Sequence, residues 1–333
     1  MEDKRYSQLI NSETLPEAFG GRRFNSYSNY FKRVMGERVQ KVAINGGFTC
    51  PNRDGKVGWN GCSFCINEAF TPSYCVATKS ITQQINEGIE FHLRRYRDAS
   101  KYLAYFQSFS NTYASIEVLR KRYSEALDNP LVVGLIIGTR PDCVDTEKLD
   151  YLAELSKDYY IAIEYGVEST FDTSLERINR GHNFEVARWA IEQSAQRGIH
   201  TGAHFIIGLP GESVEMLHSQ IETINTLPLS TIKFHQLQVF KGTTMQSEYD
   251  LNPDSFPFWE VDEYIELFVD LLEKLRPDIV VERFASEAPP RYHHGRNWDF
   301  TRNETLLQKL DKRLTERGTY QGCLYTNKTL SNV

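Results

Sequence analysis

The chain has 333 residues, 40% hydrophobic and 25% charged, an ordinary globular composition with length for one large domain or two modest ones. A formal net charge of −6 argues against a surface coated in basic residues for nucleic acid, while leaving room for a local basic patch. The longest apolar run, Leu131 to Ile137, is far short of the about 20 residues that a membrane-spanning helix needs.

In chain order, the N-terminal MEDKRYSQLINSE has neither an apolar core nor a small-residue cleavage site, so the expected compartment is the cytoplasm, without a membrane partner. The segment Arg22 to Lys41 is basic and carries aromatics. Strand-like runs, rich in β-branched and aromatic residues, are predicted at 39–44, 102–107, 131–138, 159–167, 200–208 and 231–240. Helix-like runs with apolar residues at three- and four-residue spacing lie between them, at Ser80 to Arg97, Ser115 to Asp128, Asp145 to Asp158, Phe184 to Arg197 and Ser213 to Leu227. Several begin with Ser, Thr or Asp, which suit N-caps, and Gly198 suits a helix end.

Near-continuous apolar strands alternating with helices imply an α/β fold with a parallel sheet covered by helices. Six such units fit a partial or full βα barrel better than a short open sheet, with a doubly wound sheet as the open alternative. In either case functional groups belong at the strand C-terminal ends and the loops that follow. Beyond residue 240 a Pro- and aromatic-rich link leads to a helix (Val261 to Leu275), a strand (278–284), the loop SEAPPRYHHGRNWDF and a last helix (Arg302 to Arg317). The expected organisation is an N-terminal extension (1–38), a partial (βα)6 barrel (39–245) and a C-terminal α/β extension packed on it (246–333).

The loop after the first strand, GGFTCPNRDGKVGWNGCSFC, holds Cys50, Cys62 and Cys65 in a C-x11-C-x2-C pattern. Six cysteines in a long chain without a signal do not suggest a disulfide framework, and three in one loop point to a metal. As thiolates they are soft ligands for zinc or an iron–sulfur cluster. A closed zinc site needs a fourth ligand, which nearby Cys75 offers; an open cluster leaves one iron free for an exchangeable ligand. Phe64, between the last two cysteines, is placed to shield a cluster. Cys143 and Cys323 read as structural.

Four later strand ends carry polar groups, each with a plainer reading. FQSFSNTYAS (106–115) offers hydroxyls and amides, or merely a helix N-cap turn. GTRPD (138–142) places Arg140 and Asp142 at a strand end, where a structural salt bridge is the plain alternative. In EYGVESTFDTSLERINRG (164–181), Glu168 suits a ribose diol and Arg180 a carboxylate fork, or both are surface charges. HFIIGLPGES (204–213) brings backbone close to a flat ring, or is simply a tight turn. Together these groups describe a site for S-adenosylmethionine beside an open cluster.

GGFTCPNRDG…GCSFC, YFQSFSNTYA and the GLPGE turn resemble the YhcC/YtqA family of radical S-adenosylmethionine enzymes, similar to the Elongator catalytic subunit's radical-SAM domain and to oxygen-independent coproporphyrinogen oxidase. The resemblance covers roughly residues 25 to 320 and implies a partial radical-SAM-type barrel. It implies that Cys50, Cys62 and Cys65 ligate three irons of one [4Fe–4S] cluster and that S-adenosylmethionine chelates the fourth. Phe64 and Ile207 would lie by the adenine, Gln107 and Ser108 by the methionyl amine, Glu168 by the ribose and Arg180 by the carboxylate, with Arg140 also among the nucleotide contacts. His204 departs from the Asp of relatives, which puts its own ribose contact in question. No catalytic residue is assigned beyond the cluster.

The activity implied is reductive cleavage of S-adenosylmethionine to a 5′-deoxyadenosyl radical, fed by a reductant such as flavodoxin or ferredoxin. By the same resemblance the substrate is a tRNA wobble-uridine side chain, held through Arg22 to Lys41 and through Arg291, His293, His294, Arg296 and Trp298. The alternatives are a radical enzyme acting on a small metabolite, a zinc-stabilised nucleic-acid-binding module using Cys75, and an iron–sulfur electron carrier.

Overall fold

The computed structural model describes residue 17 and residues 19–94, 99–298 and 301–326. The end of the expected helix Ser80 to Arg97, and residues 299 and 300 of the late loop, lie outside the described residues. Seven strands form one sheet in sequence order: β1 (Val39–Ile44), β2 (Lys101–Phe106), β3 (Val132–Thr139), β4 (Tyr160–Glu168), β5 (His200–Ile207), β6 (Thr231–Gln236) and β7 (Val280–Arg283). Every neighbouring pair is parallel. β7, expected in a C-terminal extension, hydrogen-bonds to β6 and continues the same sheet.

Among the described residues the helices are α1 (Tyr27–Met35), α2 (Ile81–Leu93), α3 (Ile116–Leu127), α4 (Thr146–Leu155), α5 (Asp172–Arg177), α6 (Phe184–Gln196), α7 (Val214–Ile224), α8 (Thr244–Leu251), α9 (Val261–Lys274) and α10 (Asn303–Glu316). Their starts follow capping chemistry. The side chains of Ser80, Asp145, Asn183 and Ser213 accept from backbone N–H groups of the first turns of α2, α4, α6 and α7. Glu260 and Glu263 form a reciprocal capping box on α9. Gly198 ends the helical segment at φ 72°, a conformation that glycine adopts without cost.

The sheet curls into a half-barrel. β1 and β7 are its two edges, yet Lys41 Nζ of β1 stands 2.6 Å from Glu282 Oε2 of β7, a contact a flat sheet could not make. The convex face is apolar and packs against the helices, with Val42 and Ile44 of β1, Leu135 and Ile137 of β3 and Ile161 and Ile163 of β4 buried. The concave face is layered. At the strand N-terminal ends, Phe31 of α1 packs with Leu103, Ile136, Tyr160 and Ala162. α1 touches both edge strands, so the basic aromatic segment stops one end of the half-barrel. Above that plug comes a layer of charged side chains, and above the charges, at the strand C-terminal ends, a cavity.

Candidate active site

The loop after β1 brings Cys50, Cys62 and Cys65 to one cavity of about 170 Å³, which Phe64, Gln107, Arg140, Glu168, Arg180 and His204 also line. Backbone bonds shape the loop: Arg53 N donates to Cys50 O at 2.8 Å, and Gly61 N to Asn52 O at 2.6 Å. Gly61 holds φ 75°, and a Cβ there would meet Arg53 Nε at 3.0 Å, so the turn into Cys62 needs glycine. The thiols sit among donors. Arg180 Nη1 is 3.3 Å and Asn52 Nδ2 3.7 Å from Cys62 Sγ, while Arg53 Nη2 donates to Cys65 O at 2.9 Å. Burial, reinforced by Cys62, pushes the Cys65 thiol above its ordinary range.

Glu168 ends β4 at a register shift and holds φ 74°, in the left-handed region that non-glycine residues rarely occupy. Strain of this kind is characteristic of functional positions. Its carboxylate is 3.7 Å from Arg180 Nη2. Burial pushes the Glu168 carboxyl up, with Arg180 and Arg140 opposing it. Arg180 is buried and its Nη2 donates to Gly166 O at 2.5 Å, but its Nε has no hydrogen-bond partner.

Arg140 is occupied otherwise. Its fork closes on Asp142 at 2.8 and 2.7 Å, and Nη1 donates to Arg180 O at 2.8 Å, so it props Arg180 from behind. Gln107 lines the cavity and donates to Phe70 O at 3.1 Å. Ser108 is not among the lining residues; its hydroxyl lies 3.4 Å from that of Thr71. Ile207 is buried at the end of β5 and lines a separate cavity of about 170 Å³ with Trp259, Arg296 and Trp298. His293 and Trp298 line a third, of about 400 Å³, with Gln236, Gln238 and Arg302. His294 is turned to Asp250 (2.6 Å), and exposed Arg291 lies over the Tyr292 ring; neither lines these cavities.

Cys75 stands apart from the three loop cysteines. Its Sγ donates to Ala43 O at 3.0 Å, and burial pushes its thiol up to about 12. Among the described residues no three His, Cys, Asp or Glu side chains are close enough to hold a single metal ion. Three thiols spread around one cavity, with the Arg180 guanidinium among its lining groups, fit a cluster and an anionic chelating ligand better than a compact four-ligand zinc site. Cys143 is buried and its thiol pushed up to about 12, as a structural cysteine should be.

Sequence reasoning did not assign the charged layer beneath the cavity. Lys41, Glu164, Lys233 and Glu282 form one ion network, with His204 and Tyr105 attached to it. The available signal was an ionisable residue inside each of several otherwise apolar strands, as in VQKVAI, YIAIEYGVE and TIKFHQ.

This geometry agrees with the sequence comparisons. Residues 50–224 match the model of the radical SAM superfamily, and residues 229–316 that of the radical SAM C-terminal domain. The chain belongs to the radical SAM superfamily, whose cofactors are S-adenosylmethionine and a [4Fe–4S] cluster. It is 33% identical to YtqA of Bacillus subtilis, over 94% of this chain and 96% of that one, and 32% identical to YhcC of Escherichia coli, over 90% and 95%. Among solved structures it resembles Elp3 of the archaeon Methanocaldococcus infernus with a TM-score of 0.61 at 16% identity, covering 85% of this chain and 64% of that one. A shorter stretch, 34% of this chain and 21% of the other, is 28% identical to a tRNA uridine(34) acetyltransferase of the same archaeon.

Proposed function

We propose that the chain is a radical enzyme in which Cys50, Cys62 and Cys65 hold three irons of one [4Fe–4S] cluster and S-adenosylmethionine completes it. The observation that carries the reading is the convergence of one three-cysteine loop, Glu168 and Arg180 on a single cavity. The chemistry supplied by these cofactors is reductive cleavage of the sulfonium to a 5′-deoxyadenosyl radical that abstracts hydrogen from a substrate. The protein binds and orients. Arg180 meets the nucleotide carboxylate from the cavity wall, Glu168 accepts from the ribose hydroxyls, Gln107 receives the methionyl amine and Phe64 flanks the adenine, while Ser108 and Ile207, which do not line this cavity, are left without a cofactor contact. Arg140 fixes Arg180, and Asn52 and Arg53 hold the cysteine loop closed. The groups assigned to the cofactors all fall within residues 39–245. A small reductase protein of the flavodoxin or ferredoxin type feeds the cluster in the cytoplasm.

For the substrate we infer a tRNA, at a uridine side chain of the wobble position. The stretch similar to a tRNA uridine(34) acetyltransferase supports this, as do the cavities lined by His293, Arg296 and Trp298, where an aromatic face and cations suit an unstacked base. The net charge of −6 and the small cavities favour a second reading, a low-molecular-mass metabolite.

The test is anaerobic reconstitution with iron and sulfide, then dithionite and S-adenosylmethionine. Wild type should yield 5′-deoxyadenosine and Cys62→Ala none. Stimulation by bulk tRNA, absent with a low-mass cell extract, separates the two substrates. A colourless protein retaining zinc and forming no 5′-deoxyadenosine overturns the enzyme reading.

A further inference from the structure

We propose that His204 is an acid–base group at the floor of this cavity, with Glu164 as its positioning carboxylate, serving a substrate whose reacting carbon bears a hydroxyl or amino group. The inference rests on the reading of the cavity as a nucleotide and substrate site, and it replaces a ribose contact for His204.

His204 lies on β5 with about a fifth of its side chain exposed, and it lines the cavity together with Tyr105 and Glu164. Its Nε2 is 3.1 Å from Glu164 Oε2. Glu164, on β4, is almost fully buried and receives two ammonium groups, Lys233 Nζ of β6 at 2.5 Å and Lys41 Nζ of β1 at 3.1 Å. Glu282 of β7 balances them, 2.6 Å from Lys41 and 2.9 Å from Lys233. Tyr105 of β2 accepts from Lys233 at 3.2 Å. His235 and Arg283, 3.3 Å apart, complete the ring of groups, with the His235 ring 5.6 Å from that of His204.

The layer dictates a protonation pattern. Burial opposes the charge of Glu164, but Lys233 and Lys41 overcome it and hold the carboxyl well below its ordinary range. An ionised carboxylate only accepts, so the proton of a neutral His204 must sit on Nε2. Burial and Lys233 push the imidazole below its ordinary range, so at neutral pH the ring is uncharged. Nδ1 is then a lone-pair acceptor on a ring that reaches the cavity. Apolar packing would support the half-barrel at least as well as buried ions, so stability does not account for the arrangement. Lys41 and Glu282 also line the cleft of about 1060 Å³ between β1 and β7, so the network that holds His204 reaches the open seam on its other side.

The chemistry that uses such a base is specific. Removing a hydrogen atom from a carbon that bears a hydroxyl or amino group makes the remaining O–H or N–H more acidic. One proton then moves from that group to His204 Nδ1, giving an imidazolium whose Nε2–H is held by Glu164. The substrate radical loses one positive charge, His204 gains one, and no electron changes hands.

The experiment has three readouts on the full chain. Nuclear magnetic resonance of histidine-labelled apoprotein should show His204 as the neutral Nε2–H tautomer between pH 6 and 8. Diethyl pyrocarbonate, which acylates open neutral imidazole, should modify His204, with S-adenosylmethionine protecting it in the reconstituted protein. His204→Gln should bind S-adenosylmethionine within about twofold of wild type by calorimetry. An Nδ1–H tautomer, an inert His204, or a tenfold loss of affinity in His204→Gln each overturns the proposal; the last assigns the residue to the ribose. The first readout and the acylation itself are made on apoprotein, so a failure of the radical reading shows separately as no 5′-deoxyadenosine from wild type.

Discussion

Replacing Lys233 by methionine tests the charged layer directly. Lys233 is almost fully buried, and its ammonium lies 2.5 Å from Glu164, 2.9 Å from Glu282 and 3.2 Å from the Tyr105 hydroxyl. Methionine fills the stem's volume but leaves two carboxylates sharing Lys41, at 3.1 and 2.6 Å. Stranding a buried charge costs about 3–5 kcal/mol. At about 2 °C per kcal/mol for a chain of this size, the melting temperature should fall by about 6–10 °C. The pH dependence carries the sign. In wild type the Glu164 carboxyl is held below its ordinary range, so its contribution is present above the unfolded pKa of about 4.3 and is lost as pH falls through the lower folded value. Without Lys233, burial prevails and the folded pKa rises. The penalty then develops as pH climbs past the unfolded value, by about 1.4 kcal/mol per pKa unit. Thermal unfolding of Lys233→Met apoprotein should therefore lie closer to wild type at pH 5 than at pH 8. Adding Glu164→Met should recover much of the loss, because Lys41 and Glu282 remain paired. A shift below 1 kcal/mol at pH 8, or a double variant equal to the sum of the singles, would refute the reasoning.

Three further outcomes follow from single sites. Gly134→Ala places a Cβ 2.0 Å from the Tyr160 carbonyl of the neighbouring strand, so β3 and β4 must separate; the expected loss is about 1–3 kcal/mol by urea unfolding, and a neutral result would contradict the register. Glu168→Gln removes a charged acceptor from the cavity while keeping its shape, and should weaken S-adenosylmethionine binding about 10- to 100-fold by calorimetry with the fold intact. Cys75→Ala should keep about four irons per reconstituted chain, since its thiol bonds to Ala43 and not to the cavity; loss of iron in this variant, with a normal circular dichroism spectrum, would return Cys75 to the ligand set.

What could be read from the chain and what could not divide along one physical line. Strands β1 to β6 were visible because burial on both faces leaves continuous β-branched runs, and the cysteine loop because three soft ligands in one turn have few other meanings. Helices α1, α5 and α8 were not. α1 has an aromatic stripe of Tyr27, Tyr30 and Phe31 but spans only nine residues, two of them basic, and α8 buries only Met245, so neither offers the run of aliphatic residues that marks the longer helices. α5 spans six residues, too few for a period to register. The charged layer was hidden for a different reason. Lys41, Glu164, Lys233 and Glu282 lie up to 241 positions apart, and each alone reads as an interruption of a strand. Only closure of the sheet makes them one network, since the edge strand carrying Lys41 must meet the one carrying Glu282. Arg140 and Ser108, ligand groups by position, are instead turned to Asp142, the salt bridge that GTRPD also offered, and to Thr71: the strand end fixes where a side chain starts, and its neighbours decide where it points. An ionisable residue at the centre of a predicted barrel strand is therefore the sequence signal to weigh, because on the concave face it must find a partner from across the barrel or a ligand from above it.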